Sequence, residues 1–428
     1  MLKFYPLPLA LALLFTIPVH AAGNSQALTL ASAELLALKD NSGIAASGAR
    51  ARALANVPPQ VGSLPDPRLS LNAINLPMDT FSTTQENMTQ LQLGLSQTIP
   101  FPGKLGLREE AAKFEARAAE WDAEETRLIV IRNVRLTWWN LYFLDRALSI
   151  IQRNQVLVRQ FVKIAETKYK TGQGLQSDVL LAQVELSKLL DVEITLRASR
   201  RNEAAQMNAL LNQPSNASVK LPEKIDETLP QAPDAEPLLK LALDTRPMLA
   251  SQRNKLDASR TRVDLAEKNY YPDFTLGGAY GSRSGINPVN GRSRPDFASI
   301  TFSMTLPIYT GSKQDKAVEQ RQAEMIKEEF TLSDRIARVD TEIAQALADY
   351  RAGHDQASLF ETGIIPQASQ TVSSMLASYQ VNKVDFLNLV HAQITLYNYE
   401  TQYWKAVSTG WQAWARLEAA VGMEISHE

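Results

Sequence analysis

The second half of this sequence repeats the first half. Tyr169-Lys170-Thr171-Gly172 and Tyr379-Gln380-Val381-Asn382 each lead, over the same interval, to an Ala-Gln pair. Upstream of these two segments, Ser96–Pro100 matches Ser303–Pro307 in the same order. A repeat of this length indicates that one unit of several secondary-structure elements occurs twice, which favours an architectural protein over an enzyme built around one asymmetric pocket.

The repeat predicts four parts in the chain. Residues 1–22 are predicted to be a signal peptide, residues 23–220 the first repeat, residues 221–236 a proline-rich linker, and residues 237–428 the second repeat. Each repeat is expected to contain a helix, a pair of strands and a pair of long helices, in that order.

The N-terminal segment has the composition of an export signal. Lys3 supplies a positive charge, Leu7–Ile17 is apolar, and Val19-His20-Ala21 ends in a small residue suited to cleavage. The alternative is a retained membrane anchor, but the apolar run is shorter than the ~20 residues that a spanning helix needs. We therefore expect the mature chain to be exported, either as a soluble protein or into an outer membrane.

Composition argues against several classes of function. The 428 residues include 44 Lys and Arg against 46 Asp and Glu, so the net charge of −2 gives no electrostatic footprint for nucleic acid. Cysteine is absent, which removes disulfides and lipid attachment through a lipobox cysteine. The sequence lacks a P-loop, a serine-nucleophile elbow, a zinc-binding helix and a calcium loop. We therefore predict no catalytic residue, no cofactor and no metal site.

Four short segments alternate between apolar and polar residues with the period of two that is typical of strands. They are Leu69–Ala73, Leu91–Leu95, Phe274–Tyr280 and Ala298–Leu306. Such a sheet either packs its apolar face on a helix, as in a soluble protein, or turns that face to lipid as part of a membrane barrel. Four strands are fewer than the about eight that close a barrel, but three copies of the chain would supply twelve.

The sequence also predicts unusually long helices. Between Lys104 and Lys170 there is no proline, and apolar residues recur at spacings of three and four. About 65 helical residues would span roughly 100 Å. In the second half, Ser312–Ser378 repeats this pattern, with a kink expected at Pro366. Shorter helices are expected at Ser32–Asn56, Gln176–Leu211, Pro237–Asn269 and Asp385–Gly422.

Taken together, these features resemble the TolC family of outer-membrane efflux ducts. The most specific segments are Gln97–Lys104, its second-half counterpart Leu306–Gly311, and the two turns after Lys170 and Gln380. The resemblance covers nearly the whole mature chain. It implies a mainly helical homotrimer in which a twelve-stranded β-barrel, with four strands from each chain, crosses the outer membrane and continues as a long helical barrel through the periplasm.

Within that family, Leu64-Pro65-Asp66-Pro67 followed by Asn75-Leu76-Pro77 is similar to the branch that serves heavy-metal resistance pumps of the copper/silver or cobalt/zinc/cadmium type. The implied function is a passive exit duct. The implied partners are a periplasmic adaptor (membrane fusion) protein, an inner-membrane resistance-nodulation-division transporter and outer-membrane lipid, with no nucleic acid. Multidrug efflux and type I protein secretion use the same fold and stay open as alternatives, and a non-channel coiled-coil adaptor is a further one.

The resemblance also implies that the two turns meet at the periplasmic tip, where the tunnel is narrowest. TolC-like ducts have two carboxylates one turn apart on the second-repeat helix, whereas the corresponding positions here are Asn388 and His391. Asp385, one turn earlier, and Asp178 of the first turn are then the acidic residues expected at the constriction. Close like charges around a three-fold axis would raise the pKa of Asp385 and attract cations, and a protonated or metal-bound His391 would alter conductance. Both aspartates have an alternative role as helix N-terminal caps.

In the same family, hydrogen bonds between the two turns lock the closed state. Ser177, Asp178 and Tyr379 match members of that lock. The arginine of the family pattern is replaced by Val384, which leaves Lys383 as the neighbouring basic residue. The alternative for Tyr379 is a simple packing role in the helical core.

Overall fold

A computed structural model describes residues 27–381 and 383–425 of the chain, so the predicted signal peptide lies outside the described residues. In the first half, three short helices precede two strands and two long helices. Their bounds are α1 Leu30–Asp40, α2 Ser42–Ala55, α3 Val57–Gly62, β1 Arg68–Ile74, β2 Gln90–Ile99, α4 Lys104–Lys170 and α5 Gln176–Leu210.

The second half has the same order of elements, which agrees with the sequence repeat. Its long third helix is interrupted, so that α8 and α9 together correspond to α4. The domain boundaries on either side of residues 221–236 stay a prediction. The bounds in this half are α6 Ala235–Thr245, α7 Pro247–Lys268, β3 Phe274–Ser282, β4 Phe297–Met304, α8 Gln314–Leu359, α9 Ile365–Gln380 and α10 Phe386–Val421.

The longest element is α4, and its bounds agree with the predicted ones. Its 67 residues extend over about 100 Å. Because α4 packs against α2, α5, α7 and α10, it forms the common support of both halves. Within the part of the chain that the structure describes, no helix is both long and apolar enough to cross a membrane.

Two helices that were predicted to be continuous are divided in the structure. The helix predicted for Ser32–Asn56 breaks at Asn41, whose side chain accepts two backbone hydrogen bonds at the start of α2. The helix predicted for Pro237–Asn269 breaks at Arg246, because Pro247 forces the residue before it into extended backbone. The capping side chain of Asn41 therefore divides the first predicted helix, and Pro247 divides the second.

The bend predicted at Pro366 begins one turn earlier. Residues Phe360–Ile364 form a π-helical turn between α8 and α9, and Pro366 lies in the first turn of α9. Because the backbone stays helical from α8 through this turn into α9, Pro366, which has no amide hydrogen, removes one backbone hydrogen bond from a continuous helical segment. The π turn is the local irregularity that accommodates this proline.

The four strands form one antiparallel sheet in the order β1-β2-β3-β4. Leu93 lies opposite Leu71 on one side and Tyr280 on the other, so these side chains share one face. The strand β4 ends at Met304, two residues before the predicted end at Leu306. An exposed apolar face of this kind marks a surface that contacts a partner or a membrane. The exposed apolar side chains of this face are Leu69, Leu71, Leu91, Leu93, Leu95, Leu276, Tyr280, Ile300, Phe302 and Met304.

The core is richest in aromatic side chains where α4 meets α10. Trp139 stacks on Trp411 with ring centroids 5.1 Å apart, and Trp138 stacks on Tyr142 with centroids 5.5 Å apart. Trp138, Trp139 and Tyr142 are buried, so these pairs combine burial of large apolar surfaces with a preferred ring geometry. The Trp139–Trp411 pair joins α4 to α10, whereas Trp138 and Tyr142 both lie on α4.

Two glycines allow α8 and α10 to cross at close range. A methyl group added to Gly353 would lie 2.8 Å from the nitrogen of Gly410 and 3.1 Å from the carbonyl oxygen of Ala406. At Gly410 an added methyl group would lie 2.8 Å from Cδ1 of Leu229, a residue of the predicted linker. The crossing of α8 and α10 therefore depends on the absence of a side chain at Gly353, and the packing of Leu229 on α10 depends on its absence at Gly410.

We predict that Gly353→Ala destabilises the protein, because the added methyl group would push the α10 backbone away from α8. Overpacking of this kind costs about 1–3 kcal/mol, so the midpoint of thermal unfolding should fall. The control is Gly106→Ala, since a methyl group added at that position of α4 meets nothing within 4 Å and alanine favours helix. Equal midpoints for Gly353→Ala and the wild-type protein would contradict the prediction.

Candidate functional site

The turn between α4 and α5 lies beside the turn between α9 and α10. Together the two turns form the tip of the molecule, at the end of α4 that is distant from the sheet. An apolar cluster joins all four helices there and fixes the turns next to each other, as the sequence predicted. Its buried members are Phe161, Ala165, Ala182, Tyr379, Phe386, Leu389 and Val390.

The two turns have the same backbone hydrogen bonds. The amide of Gln173 donates to the carbonyl of Lys168 at 2.8 Å, and the amide of Lys383 donates to the carbonyl of Ser378 at 2.9 Å. In the first turn, Gly172 has a φ of 71°, a left-handed conformation that favours glycine. The sequence repeat thus extends to the backbone geometry of the tip.

Asp178 and Asp385 lie at the starts of α5 and α10. Burial raises the pKa of the Asp178 carboxyl, and the negative charge of Asp385 raises it further. A hydrogen bond from the backbone of Leu175 and the positive charge of Lys168 both act to lower that pKa. Asp385 stands at the N-cap position of α10, but its side chain makes no capping hydrogen bond to any described residue. The tip therefore holds an acidic pair whose charges repel each other.

Asn388 and His391 follow Asp385 along α10. Successive residues in this series are three positions apart, so their side chains follow one another along one side of the helix. All three residues are exposed. In residues 27–381 and 383–425, no group of three or more His, Cys, Asp or Glu side chains could hold a metal ion.

Tyr379 is the buried member of the predicted lock. Only 4% of it is exposed, and its ring packs on Phe386 with centroids 5.2 Å apart. Its hydroxyl has no hydrogen-bond partner among the residues that the structure describes. Burial raises the pKa of this hydroxyl to about 12, and the charge of Asp178 adds to the shift. Ser177 and Lys383 are exposed, so a lock formed by their side chains stays a prediction.

Lys168 is a contact residue at the tip that the sequence analysis missed. Its Nζ donates a hydrogen bond to the backbone carbonyl of Tyr379 at 2.5 Å. The same ammonium group lies 4.2 Å from the centroid of the Tyr379 ring, within the range of a cation–π interaction. In the sequence, Lys168 is marked by its position directly before Tyr169, and that position does not reveal a partner 211 residues away.

The two halves that meet at this tip both match a known family. Residues 36–213 and 238–423 match the family model described as outer membrane efflux protein. The chain belongs to the outer membrane efflux protein family. It is an outer-membrane efflux duct with a periplasmic helical portion, which confirms the predicted fold class and location.

Individual proteins extend this similarity over most of the chain. The cobalt-zinc-cadmium resistance protein CzcC of Cupriavidus metallidurans is 22% identical over 433 residues, which cover 97% of this chain and 99% of CzcC. The alkaline protease secretion protein AprF of Pseudomonas aeruginosa is 24% identical over 273 residues, 62% of this chain and 55% of AprF. Among solved structures, the outer-membrane channel OprN matches with a TM-score of 0.78 at 18% identity, covering 92% of this chain and 89% of OprN. Members of this family are channels rather than enzymes.

We predict that Asp385→Asn lowers the pKa of Asp178 towards its ordinary value, because the substitution removes a neighbouring negative charge. A raised carboxyl pKa favours the protonated form in the folded protein. Its contribution to stability is therefore present at acid pH and is lost as the pH rises through the folded-state pKa. The Asp385→Asn protein should lose less stability over that range than the wild-type protein.

This prediction is tested by carboxyl ¹³C NMR titration, with the Asp178 signal assigned from Asp178→Asn, and by melting midpoints measured across the same pH range. The matched control is Asp191→Asn, which removes an exposed carboxylate elsewhere on α5. An unchanged Asp178 titration in the Asp385→Asn protein would show that the two carboxylates do not interact.

Proposed function

We propose that the chain forms the homotrimeric outer-membrane exit duct of a tripartite pump that removes heavy-metal cations from the cell. In this pump a periplasmic adaptor protein links the duct to an inner-membrane resistance-nodulation-division transporter, which supplies the energy. The similarity to CzcC is the observation that carries the choice of cargo, because it runs over 97% of this chain and 99% of that protein.

The trimer is proposed because one chain cannot complete its own sheet. The strands β1 and β4 are the edges of the sheet, and unpaired strand edges tend to associate with other strands. Three copies would supply twelve strands, which exceeds the about eight needed to close a barrel. The exposed leucines of the outer face would then contact outer-membrane lipid, as apolar bands of membrane barrels do.

The alternative cargo classes are drugs and secreted proteins. The similarity to AprF supports a type I secretion duct as the second candidate, but it covers only 62% of this chain. Asp385 is exposed at the tip beside the lysines of the two turns, and a carboxylate at a constriction would raise the local concentration of positive charge.

The proposed gate lies at the tip, where Asp178 and Asp385 would attract cations and Asn388 and His391 would line the constriction. We propose that Ser177, Tyr379 and Lys383 contribute to a lock between the two turns. Support for the gate comes from the repulsion between the two aspartates and from the exposed series of residues on α10. Support for the lock comes from Tyr379, which is buried where the two turns meet and accepts a hydrogen bond from Lys168 at its backbone carbonyl.

We predict that a deletion strain becomes hypersensitive to salts of copper, silver, zinc, cobalt, nickel or cadmium, because the pump would have no exit. Its sensitivity to dyes, bile salts and antibiotics should stay unchanged. The measurement is growth inhibition across both panels, with the wild-type gene restored on a plasmid as the control. Hypersensitivity to amphiphiles alone would exclude the heavy-metal cargo, and loss of protease export alone would favour the secretion duct.

We also predict that His391→Ala reduces the response of channel conductance to zinc and to pH between about 5 and 8, where histidine changes its charge. The measurement is single-channel conductance of the purified trimer in planar bilayers. The matched control is His354→Ala, because His354 lies on α8, far from the tip, and contacts Asp355. The proposal for His391 fails if both variants respond to zinc and pH as the wild-type protein does.

A further inference from the structure

Lys168 joins the two turns at the tip through a hydrogen bond to a backbone carbonyl. We propose that Lys168 is the latch that holds the end of α9 against the end of α4 and so keeps the tip closed. This inference rests on the proposed gate at the tip. It assigns a positioning role to a residue outside the lock implied by the family resemblance, which names Ser177, Asp178, Tyr379 and Lys383.

The latch acts on the C-terminal end of a helix. The carbonyl of Tyr379 belongs to the last turn of α9, which ends at Gln380. Carbonyls in a last turn have no partner within the helix and carry the negative end of its dipole. The carbonyl of Tyr379 accepts a hydrogen bond from the amide of Val381 and a second one from the ammonium group of Lys168 at 2.5 Å, and that group also lies against the Tyr379 ring. A charged donor at this position forms a stronger hydrogen bond than a neutral one.

The repeat shows that the contact is directional. The counterpart of Lys168 in the second turn is Ser378, whose short side chain cannot reach across to the first turn. The counterpart of Tyr379 is Tyr169, which is 49% exposed, whereas Tyr379 is 4% exposed. Lys168 of the first turn therefore bonds to the second turn, whereas Ser378, its counterpart in the second turn, is too short to bond to the first.

The charge of Lys168 also offsets the repulsion at the tip. Its positive charge lowers the pKa of Asp178, whereas the charge of Asp385 raises it. Without the lysine, the two carboxylates would repel each other with less compensation. Because these carboxylates lie on α5 and α10, that repulsion would push the two helix pairs apart.

The second helix pair is the one with a place to bend. The helix α4 runs unbroken from the sheet to the tip. In contrast, the π turn at Phe360–Ile364 and the following Pro366 separate α9 from α8. Release of Lys168 from the end of α9 would therefore allow α9 and the start of α10 to swing about this irregular turn while α4 stays in place.

The absence of cysteine allows a direct test by spin labelling. Cysteines replace Gln173 and Gln380, one exposed residue in each turn, and the distance between the two labels is measured by pulsed electron paramagnetic resonance. An excess of unlabelled chain keeps each trimer to one labelled copy. The test variant is Lys168→Met, which keeps the length of the side chain and removes its charge. The matched control is Lys170→Met, since Lys170 is exposed on the same last turn of α4.

We expect Lys168→Met to shift the ratio of closed to open tips by about tenfold, the effect of losing one hydrogen bond to a charged group. The labels should therefore show a longer distance in this variant. Lys170→Met and Lys168→Arg should keep the wild-type distance, because the first leaves the contact intact and the second retains a cation that donates to the carbonyl. An unchanged distance in Lys168→Met would overturn the latch.

Conductance separates the latch from the proposed gate. If the tip controls flow, Lys168→Met should also raise single-channel conductance in planar bilayers, and Lys168→Arg should restore it. A longer label distance with unchanged conductance would support the latch and overturn the gate. Raised conductance with an unchanged distance would overturn the latch and leave the gate in place.

Discussion

The incomplete sheet is the constraint on which the rest of the molecule depends. Its four strands turn a row of apolar side chains outward, and its edges β1 and β4 carry backbone groups that need partners. In water both features are unfavourable, whereas lipid solvates the apolar face and neighbouring strands satisfy the edges. Once the sheet lies in the outer membrane, the continuous α4 sets how far the tip is from it, at about 1.5 Å for each residue.

A lysine ammonium group donates to an oxygen at the junction between the sheet and α4, and another does so at the tip. The two lysines differ in how deeply they are buried. At the junction, the Nζ of Lys104 is buried and donates to Oδ1 of Asp273 at 2.8 Å, and the amide of Phe101 donates to the same oxygen at 2.9 Å. That carboxylate therefore ties the end of β2 and the start of β3 to the start of α4. At the tip, Lys168 is only half-buried and lies close enough to Asp178 for its charge to lower the pKa of that carboxyl. Water screens this charge more than the buried one at the junction, so the latch proposed at the tip is expected to release more readily than the junction.

A duct for cations needs attraction without retention, because an ion that binds tightly at the constriction does not leave it. In the proposed gate, the exposed Asp385, Asn388 and His391 would meet this requirement, since they offer one carboxylate, one amide and one imidazole. Sequence reasoning found these three residues through the resemblance to a known family, and it also predicted that Asp178 would lie near them. It did not find Lys168, because the partner of that lysine is a backbone carbonyl, which has no signature in sequence.

The elements whose causes are local could be predicted from the amino-acid sequence. The absence of proline from Lys104 to Lys170 predicted the long helix, and the period of two predicted all four strands. The tertiary structure alone decided which of two equivalent residues is buried. Tyr169 and Tyr379 hold the same place in the repeat, but the second packs on Phe386 and under Lys168 while the first is largely exposed. Burial depends on the surface that the neighbouring helix pair presents, and only the packing of the two halves against each other fixes that surface.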